Sequence, residues 1–118
     1  MGMRREMRLG ITFPVRIAGV DSNGRKFELD AMTIDVTGKG ARLRGITRPL
    51  QPGSTLTLIC RSNKAQVQVV WVGKPGSRIH DQIGVKVAGT GEFNWGRPMP
   101  RILGDGFPSP QPEEDIWR

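Results

Sequence analysis

The sequence predicts a small all-β protein, a six-stranded antiparallel β-barrel, on three grounds. Short runs alternate apolar and polar residues at period two. Sixteen Gly and nine Pro punctuate those runs, as the turns of a many-stranded fold require. No window carries a 3.6-residue period, so no helix beyond about one or two turns is expected. A chain of 118 residues suits one domain.

The elements follow in order. Ile11 to Val20 reads as the first strand, with Phe13, Val15 and Ile17 on one face. Pro14 lacks a backbone donor, so this strand is expected to lie at an edge or to begin late. Asp21-Ser22-Asn23-Gly24 is a turn. Arg25 to Val36 is the second strand, with Phe27, Leu29 and Ala31 on one face and Met32, Ile34 and Val36 on the other parity. That switch between Ala31 and Met32 predicts a β-bulge or barrel corner. Thr37-Gly38-Lys39-Gly40 is a turn, with Gly38 and Gly40 as candidates for positive φ. Ala41 to Arg44 is a short third strand. After a turn at Leu50-Gln51-Pro52-Gly53-Ser54, Thr55 to Arg61 and Ala65 to Val72 alternate as strands four and five. Gly73-Lys74-Pro75-Gly76-Ser77 is a loop, and Ile79 to Ala88 is the sixth strand.

Residues 1–10 form a flexible arm with no clear period, residues 11–96 the barrel, and residues 97–118 a tail. Five prolines between positions 98 and 112 predict a disordered or extended tail. Trp71 is expected in the core. Trp95 is expected to pack over a barrel end, with a partner contact as the alternative. Cys60 alternates with Leu56 and Leu58 and reads as a buried small hydrophobe. As the sole cysteine it forms no internal disulfide and fits a reducing cytosol. No apolar run approaches the length of a membrane span, and residues 1–8 lack the apolar stretch of a secretory signal. A cytoplasmic location is the expectation.

Charge narrows the function classes. The net charge is +7, but residues 105–118 carry −3, which leaves +10 on residues 1–104. A basic body attracts anions such as nucleic acid, anionic lipid or nucleotides. Thirteen of the 18 basic residues are Arg, which suits planar, bidentate contacts to phosphate and guanine. His80-Asp81 has no partnered nucleophile or metal-ligand cluster and reads as a polar pair at a strand end. An enzyme is the least supported class, and neither a metal nor a cofactor is expected.

Two patterns carry candidate binding chemistry. Arg4-Arg5-Glu6-Met7-Arg8 places Arg4 and Arg8 in an R-x-x-x-R frame ahead of the first strand. Two guanidinium groups on an arm can clamp phosphates or the O6/N7 edge of guanine. The same spacing recurs at Arg44/Arg48 and Arg97/Arg101, so position, not spacing, distinguishes the first pair. A solvated basic N-terminus is the plainer reading. Asp35-Val36-Thr37-Gly38-Lys39-Gly40 is a D-x-T-x-x-G frame at a strand-to-turn junction. A carboxylate, a hydroxyl and glycine-exposed backbone can form the other side of a pocket. Equally, Asp35 can cap the turn through an Asx bond.

Order and context give these patterns a resemblance. Arg8 precedes Asp35 by 27 residues, across a strand, an Asn-Gly turn and a second strand. Ala41-Arg42-Leu43 follows the second motif directly. Val69-Val70-Trp71-Val72-Gly73 and Ile83-Gly84-Val85-Lys86-Val87 come later. Over about residues 4–96 the chain resembles the PilZ domain family, bacterial receptors for cyclic di-GMP. The resemblance implies a PilZ-like barrel that binds cyclic di-GMP, often as an intercalated dimer, and signals to a partner protein without catalysis. It implies that Arg4 and Arg8 hold guanine and phosphate from the arm, with Arg5 adding local charge. Asp35 would accept from guanine N1–H and N2–H₂, Thr37 would donate to a ligand oxygen, and Gly40 would permit close approach. Thr37 stands where the family usually has Ser, and no helix is legible after the barrel. The rival readings are a degenerate PilZ adaptor that binds only protein, and a basic nucleic-acid-binding barrel. The second is opposed by the absence of Tyr and the presence of only seven Phe and Trp, since such barrels stack bases on exposed aromatics.

Overall fold

The computed structural model describes residues 10, 12–89, 91–93, 95 and the backbone of 116–117. Six strands form the barrel: β1 Pro14–Val20, β2 Lys26–Val36, β3 Gly40–Arg44, β4 Thr55–Cys60, β5 Asn63–Gly73 and β6 Gln82–Val87. All neighbours pair antiparallel in the order β4-β1-β2-β3-β6-β5, and pairing of β4 with β5 closes the sheet. Closure removes the unpaired edges that an open sheet would expose. The described residues contain no helix.

Period-two alternation builds the interior. Ile17, Val36, Leu43, Leu58, Ile83 and Val85 are fully buried in one apolar cluster. Their neighbours Arg16, Arg42 and Arg44 lie on the outer side of the wall. Burial of each such side chain is worth about 1.5–3 kcal/mol. Cys60 is buried among them, as its alternation predicts.

Pro14 opens β1, and the strand is flanked on both sides by β2 and β4. The strand therefore begins late, and is not an edge. The missing N–H falls at the first residue, where the ladder loses least. Just before it, Phe13 exchanges two bonds with Thr33: the Phe13 N–H donates to Thr33 Oγ1, and the Thr33 N–H donates to the Phe13 carbonyl, both at 3.0 Å.

The expected parity switch in β2 is real but sits further along. Thr33 pairs with Leu43, whereas Asp35 pairs with Arg42, so Ile34 is the extra residue. Met32 pairs with exposed Arg44 on the outer face and is half-buried there. Its apolar side chain mimics an inward residue in the sequence. A second bulge lies in β5, where Val69 pairs with Val85 but Trp71 pairs with Gly84. Val70 is the extra residue. Trp71 consequently leaves the interior. It is buried, as a core residue is expected to be, but in a second small cluster with Ile79 and Val70 outside the barrel interior.

Glycine accommodates that cluster. A Cβ on Gly84 would lie 2.2 Å from Trp71 Nε1, and one on Gly73 would lie 1.7 Å from the Ile79 carbonyl oxygen. The sixth strand begins at Gln82, not Ile79, because residues 75–81 turn back beneath Trp71. His80 belongs to this turn, its Nδ1 lying 3.1 Å from the Ser77 carbonyl.

The tail shows one departure from expectation. Ile116–Trp117 forms a short strand, β7, paired antiparallel with Val72 and Gly73 of β5. The rest of the expected disordered tail, and the flexible arm apart from Gly10, lie outside the described residues.

Asp21 organises the β1–β2 turn. Its Oδ1 accepts the N–H groups of Asn23 and Arg25 at 2.9 and 3.0 Å, and its Oδ2 accepts Arg48 Nη1 at 3.1 Å. The Arg25 amide is the main cause holding this carboxyl below its ordinary value, with Asn23 and Arg48 adding to it against the opposing effect of burial. A carboxylate with a lowered folded pKa contributes stability above its unfolded value, and that contribution vanishes as pH falls through the folded one. Asp21→Asn should therefore lower the melting temperature at neutral pH, and the gap from the wild type should close as pH is lowered from about 5 to about 2. A gap independent of pH would show that charge at this turn is immaterial.

Gly84→Ala should destabilise by about 1–3 kcal/mol through overpacking against Trp71. Gly76→Ala, at φ +83° with nothing within 4 Å of its Cβ, should cost only about 1 kcal/mol of backbone strain. Comparing their denaturant midpoints checks the position of Trp71, and equal losses would contradict it.

Candidate functional site

The β2 bulge and the turn after it define the site. Because Ile34 is inserted, Val36 returns to the interior opposite Ala41, while Asp35 faces outward beside Arg42. Arg42 Nε lies 3.1 and 3.2 Å from Asp35 Oδ1 and Oδ2, and Arg42 Nη2 lies 2.8 Å from Oδ2. The side chains are only 9% and 16% exposed, respectively. A fork-to-fork pair at this depth is geometrically rigid and loses much more when one partner is removed than a surface pair does.

Thr37 is the pivot of the turn. It is fully buried, and its Oγ1 accepts the N–H groups of Lys39 and Gly40, each at 3.0 Å. The Thr37 N–H donates to the Gly40 carbonyl at 2.8 Å. Its own carbonyl accepts Trp95 Nε1 at 2.7 Å. The hydroxyl also donates to the Gly40 carbonyl at 3.4 Å, so its contacts among the described residues lie within the turn. A Ser-to-Thr change keeps this function, because the acceptor oxygen is retained and the methyl group enters a packed interior.

Trp95 plugs the barrel end above the turn, meeting Phe93 and Phe13 edge-on at centroid distances of 4.5 and 5.8 Å. The Phe93 N–H bonds to the Gly38 carbonyl, and the Val87 N–H bonds to the Lys39 carbonyl. A Cβ on Gly38 would meet the Glu92 carboxylate at 2.8 Å. Gly38 and Gly40 are not among the positive-φ glycines, which are Gly24, Gly45, Gly53, Gly76 and Gly89. Close approach at Gly38 and strand pairing at Gly40 replace the left-handed geometry expected of them.

The outer wall continues across the sheet. Register rows join Asp35 to Arg42, Arg42 to Gly84 and Gly84 to Trp71. Adjacent rows bring Gly40 beside Lys86 and Arg44 beside Gln82. Lys86, Arg42 and Arg44 therefore form a basic stripe at outward positions of β3 and β6. Trp71 Nε1 is buried and bonds to no described residue. A separate open groove, lined by Ser22, Pro49, Leu50, Pro52, Gly73 and Pro75, contains none of the motif residues.

Of the sequence-derived site residues, Asp35, Thr37 and Gly40 come together in one hairpin. Arg4, Arg5 and Arg8 lie outside the described residues. Sequence reasoning overlooked Arg42 as a site residue. Its signal was available: a turn closing between Val36 and Ala41 sets Asp35 opposite Arg42 by register alone. No group of three or more His, Cys, Asp or Glu that could hold a metal ion occurs among the described residues. Likewise, no helix among them is long and apolar enough to cross a membrane.

A scan against protein-family models finds no match, and a search of curated proteins finds no significant one.

Removing Asp35 should destabilise the fold by about 3–5 kcal/mol, since the Arg42 charge is left largely buried. The double variant Asp35→Ala with Arg42→Ala should recover about 1–3 kcal/mol relative to additivity. Urea unfolding of the four proteins measures this coupling. Strict additivity would mean that the two groups do not depend on each other.

Thr37→Val should lower stability by about 1–3 kcal/mol by stranding the Lys39 and Gly40 amides, whereas Thr37→Ser should be close to silent. Melting temperatures of the two variants decide between a turn-holding hydroxyl and an inessential one.

Proposed function

We propose that this chain is a PilZ-like, non-enzymatic receptor for cyclic di-GMP, binding the ligand on the outer barrel wall around Asp35 and Arg42 and signalling to a partner protein. The observation that carries the reading is the bulge at Ile34, which turns the motif carboxylate out of the barrel and sets it against an arginine. A doubly phosphorylated bis-guanine ligand needs two kinds of recognition: positive charge for its phosphates and hydrogen-bonding edges for its bases. Arg44 and the arginines of the arm supply the first, and the Asp35–Arg42 pair supports the second.

The arm completes the proposal. Phe13 is tied to Thr33, two residues ahead of Asp35 in β2. Arg8 lies five positions before Phe13, a separation of at most about 18 Å along the chain. On chain length alone Arg8, and Arg4 four positions further on, would be able to meet a ligand seated at the Asp35 wall. Two arginine–guanine contacts at about 1–3 kcal/mol each are enough to shift an arm equilibrium strongly toward the closed state. The reordered arm would form the surface a partner reads.

The described aromatic rings of Phe13, Phe27, Trp71, Phe93 and Trp95 are all buried. That counts against the rival of a barrel stacking single-stranded nucleic acid, which needs exposed rings.

Calorimetric titration at physiological salt should show binding of cyclic di-GMP in preference to GTP and a short DNA. Arg4→Ala and Arg8→Ala should each cost about 1–3 kcal/mol of binding, while Arg97→Ala should cost little. Oligonucleotide binding without a cyclic di-GMP signal overturns the proposal. Equal losses at Arg8 and Arg97 would assign binding to bulk charge.

A further inference from the structure

We infer that Arg42, held in place by Asp35, reads the O6/N7 edge of a guanine base, with Asp35 acting as its positioning residue. This deepens the proposed function and rests on it.

The inference starts from how the guanidinium is used. Arginine has five N–H donors in a fixed plane. Asp35 takes the side formed by Nε and Nη2. Nη1 makes no hydrogen bond to a described residue. The end of the group, formed by Nη1 and the second hydrogen of Nη2, therefore keeps two parallel donors. That end is the fork that matches guanine O6 and N7, the commonest base-specific contact of arginine.

Electrostatics favour a base over a phosphate at this position. Asp35 offsets the charge of Arg42 at 2.8 Å, so the pair attracts an anion weakly. Its hydrogen-bonding geometry is untouched by that cancellation. The phosphates have a better partner in Arg44, which is exposed two residues along β3 on the same face. The Arg42 side chain is only 16% exposed, and a partly desolvated donor pair forms stronger hydrogen bonds than one in open water. The bidentate grip of Asp35 also removes rotamer freedom before the ligand arrives, which is the usual route by which preorganisation raises affinity.

This assignment differs from one in which Asp35 itself accepts from guanine N1–H and N2–H₂. Both Asp35 oxygens already face Arg42, and the two readings use opposite edges of the base. Ligand analogues separate them without disturbing the fold. Inosine keeps O6 and N7 but lacks the N2 amino group. 7-Deazaguanine lacks N7 but keeps N1–H and N2–H₂.

The experiment is calorimetric titration of the full chain with cyclic di-GMP, cyclic di-IMP and the 7-deazaguanine analogue, for the wild type and for Arg42→Lys. Arg42→Lys keeps the charge beside Asp35 but loses the fork, and its melting temperature checks that it is folded. In the wild type, the 7-deaza analogue should bind about tenfold or more weakly than cyclic di-GMP, and cyclic di-IMP within a factor of about three. In Arg42→Lys the gap between cyclic di-GMP and its 7-deaza analogue should collapse. A large loss with cyclic di-IMP and none with the 7-deaza analogue would give the base to Asp35 and overturn this inference while leaving the proposed function intact. A 7-deaza gap that survives in Arg42→Lys would assign the edge to another residue and overturn it likewise. Absence of any cyclic di-GMP binding by the wild type would overturn both.

Discussion

A closed barrel of six strands imposes strict alternation, and the two bulges that break it decide the character of the molecule. Without an inserted residue at Ile34, either Val36 or Asp35 would be misplaced relative to Thr33. The bulge lets Thr33 and Val36 both point inward, fully buried, while Asp35 faces out. The bulge at Val70 does the same on the far side of the β3–β6 pair, turning Trp71 out between inward Val69 and Val72. Since β3 and β6 are regular between them, one continuous row runs from Asp35 through Arg42 and Gly84 to Trp71. Bulges are common where a wall must re-aim a side chain, and here two of them align on a single face.

The turn after β2 converts that face into a stable platform. A buried hydroxyl, a buried indole and three strand-end carbonyls tie residues 37–40 to Phe93, Trp95 and β6. Every bond in this set is local to the barrel end, so the motif hairpin is preformed. A carboxylate and an arginine locked against each other on such a platform behave as one rigid recognition element, not as two independent charges.

Charge distribution completes the picture. The chain is basic overall, and Arg42, Arg44 and Lys86 occupy outward positions of β3 and β6 beside the motif hairpin. Ion pairs on the described wall join Arg16 to Glu28 and Asp30, Arg42 to Asp35, and Arg48 to Asp21. An anionic ligand steered to the barrel would meet the stripe at Lys86, Arg42 and Arg44 beside the motif hairpin. The proposed receptor function draws on basic side chains that lie beside a preorganised hydrogen-bonding pair.

Alternation, turn residues and the lack of helical period were enough to determine the all-β barrel, the number of its strands and most of its core, because each depends on residues near one another in sequence. Ile17, Leu43, Leu58 and Val85 are inside for reasons visible in their own strands. The turn at Thr37 to Gly40 was legible for the same reason. The placements that only tertiary structure decided are those set by pairing across strands. Met32 and Ile34 look like inward residues until Arg44 and Arg42 fix the register of β2. Trp71 looks like core until the bulge at Val70 and the empty space at Gly84 draw it outside. Thr37 reads only as a hydroxyl in a turn motif until the fold sets its oxygen against the Lys39 and Gly40 amides and its O–H toward the Gly40 carbonyl. In each case a residue's chemistry is written in the sequence, but the face it presents depends on a register summed over the whole closed sheet.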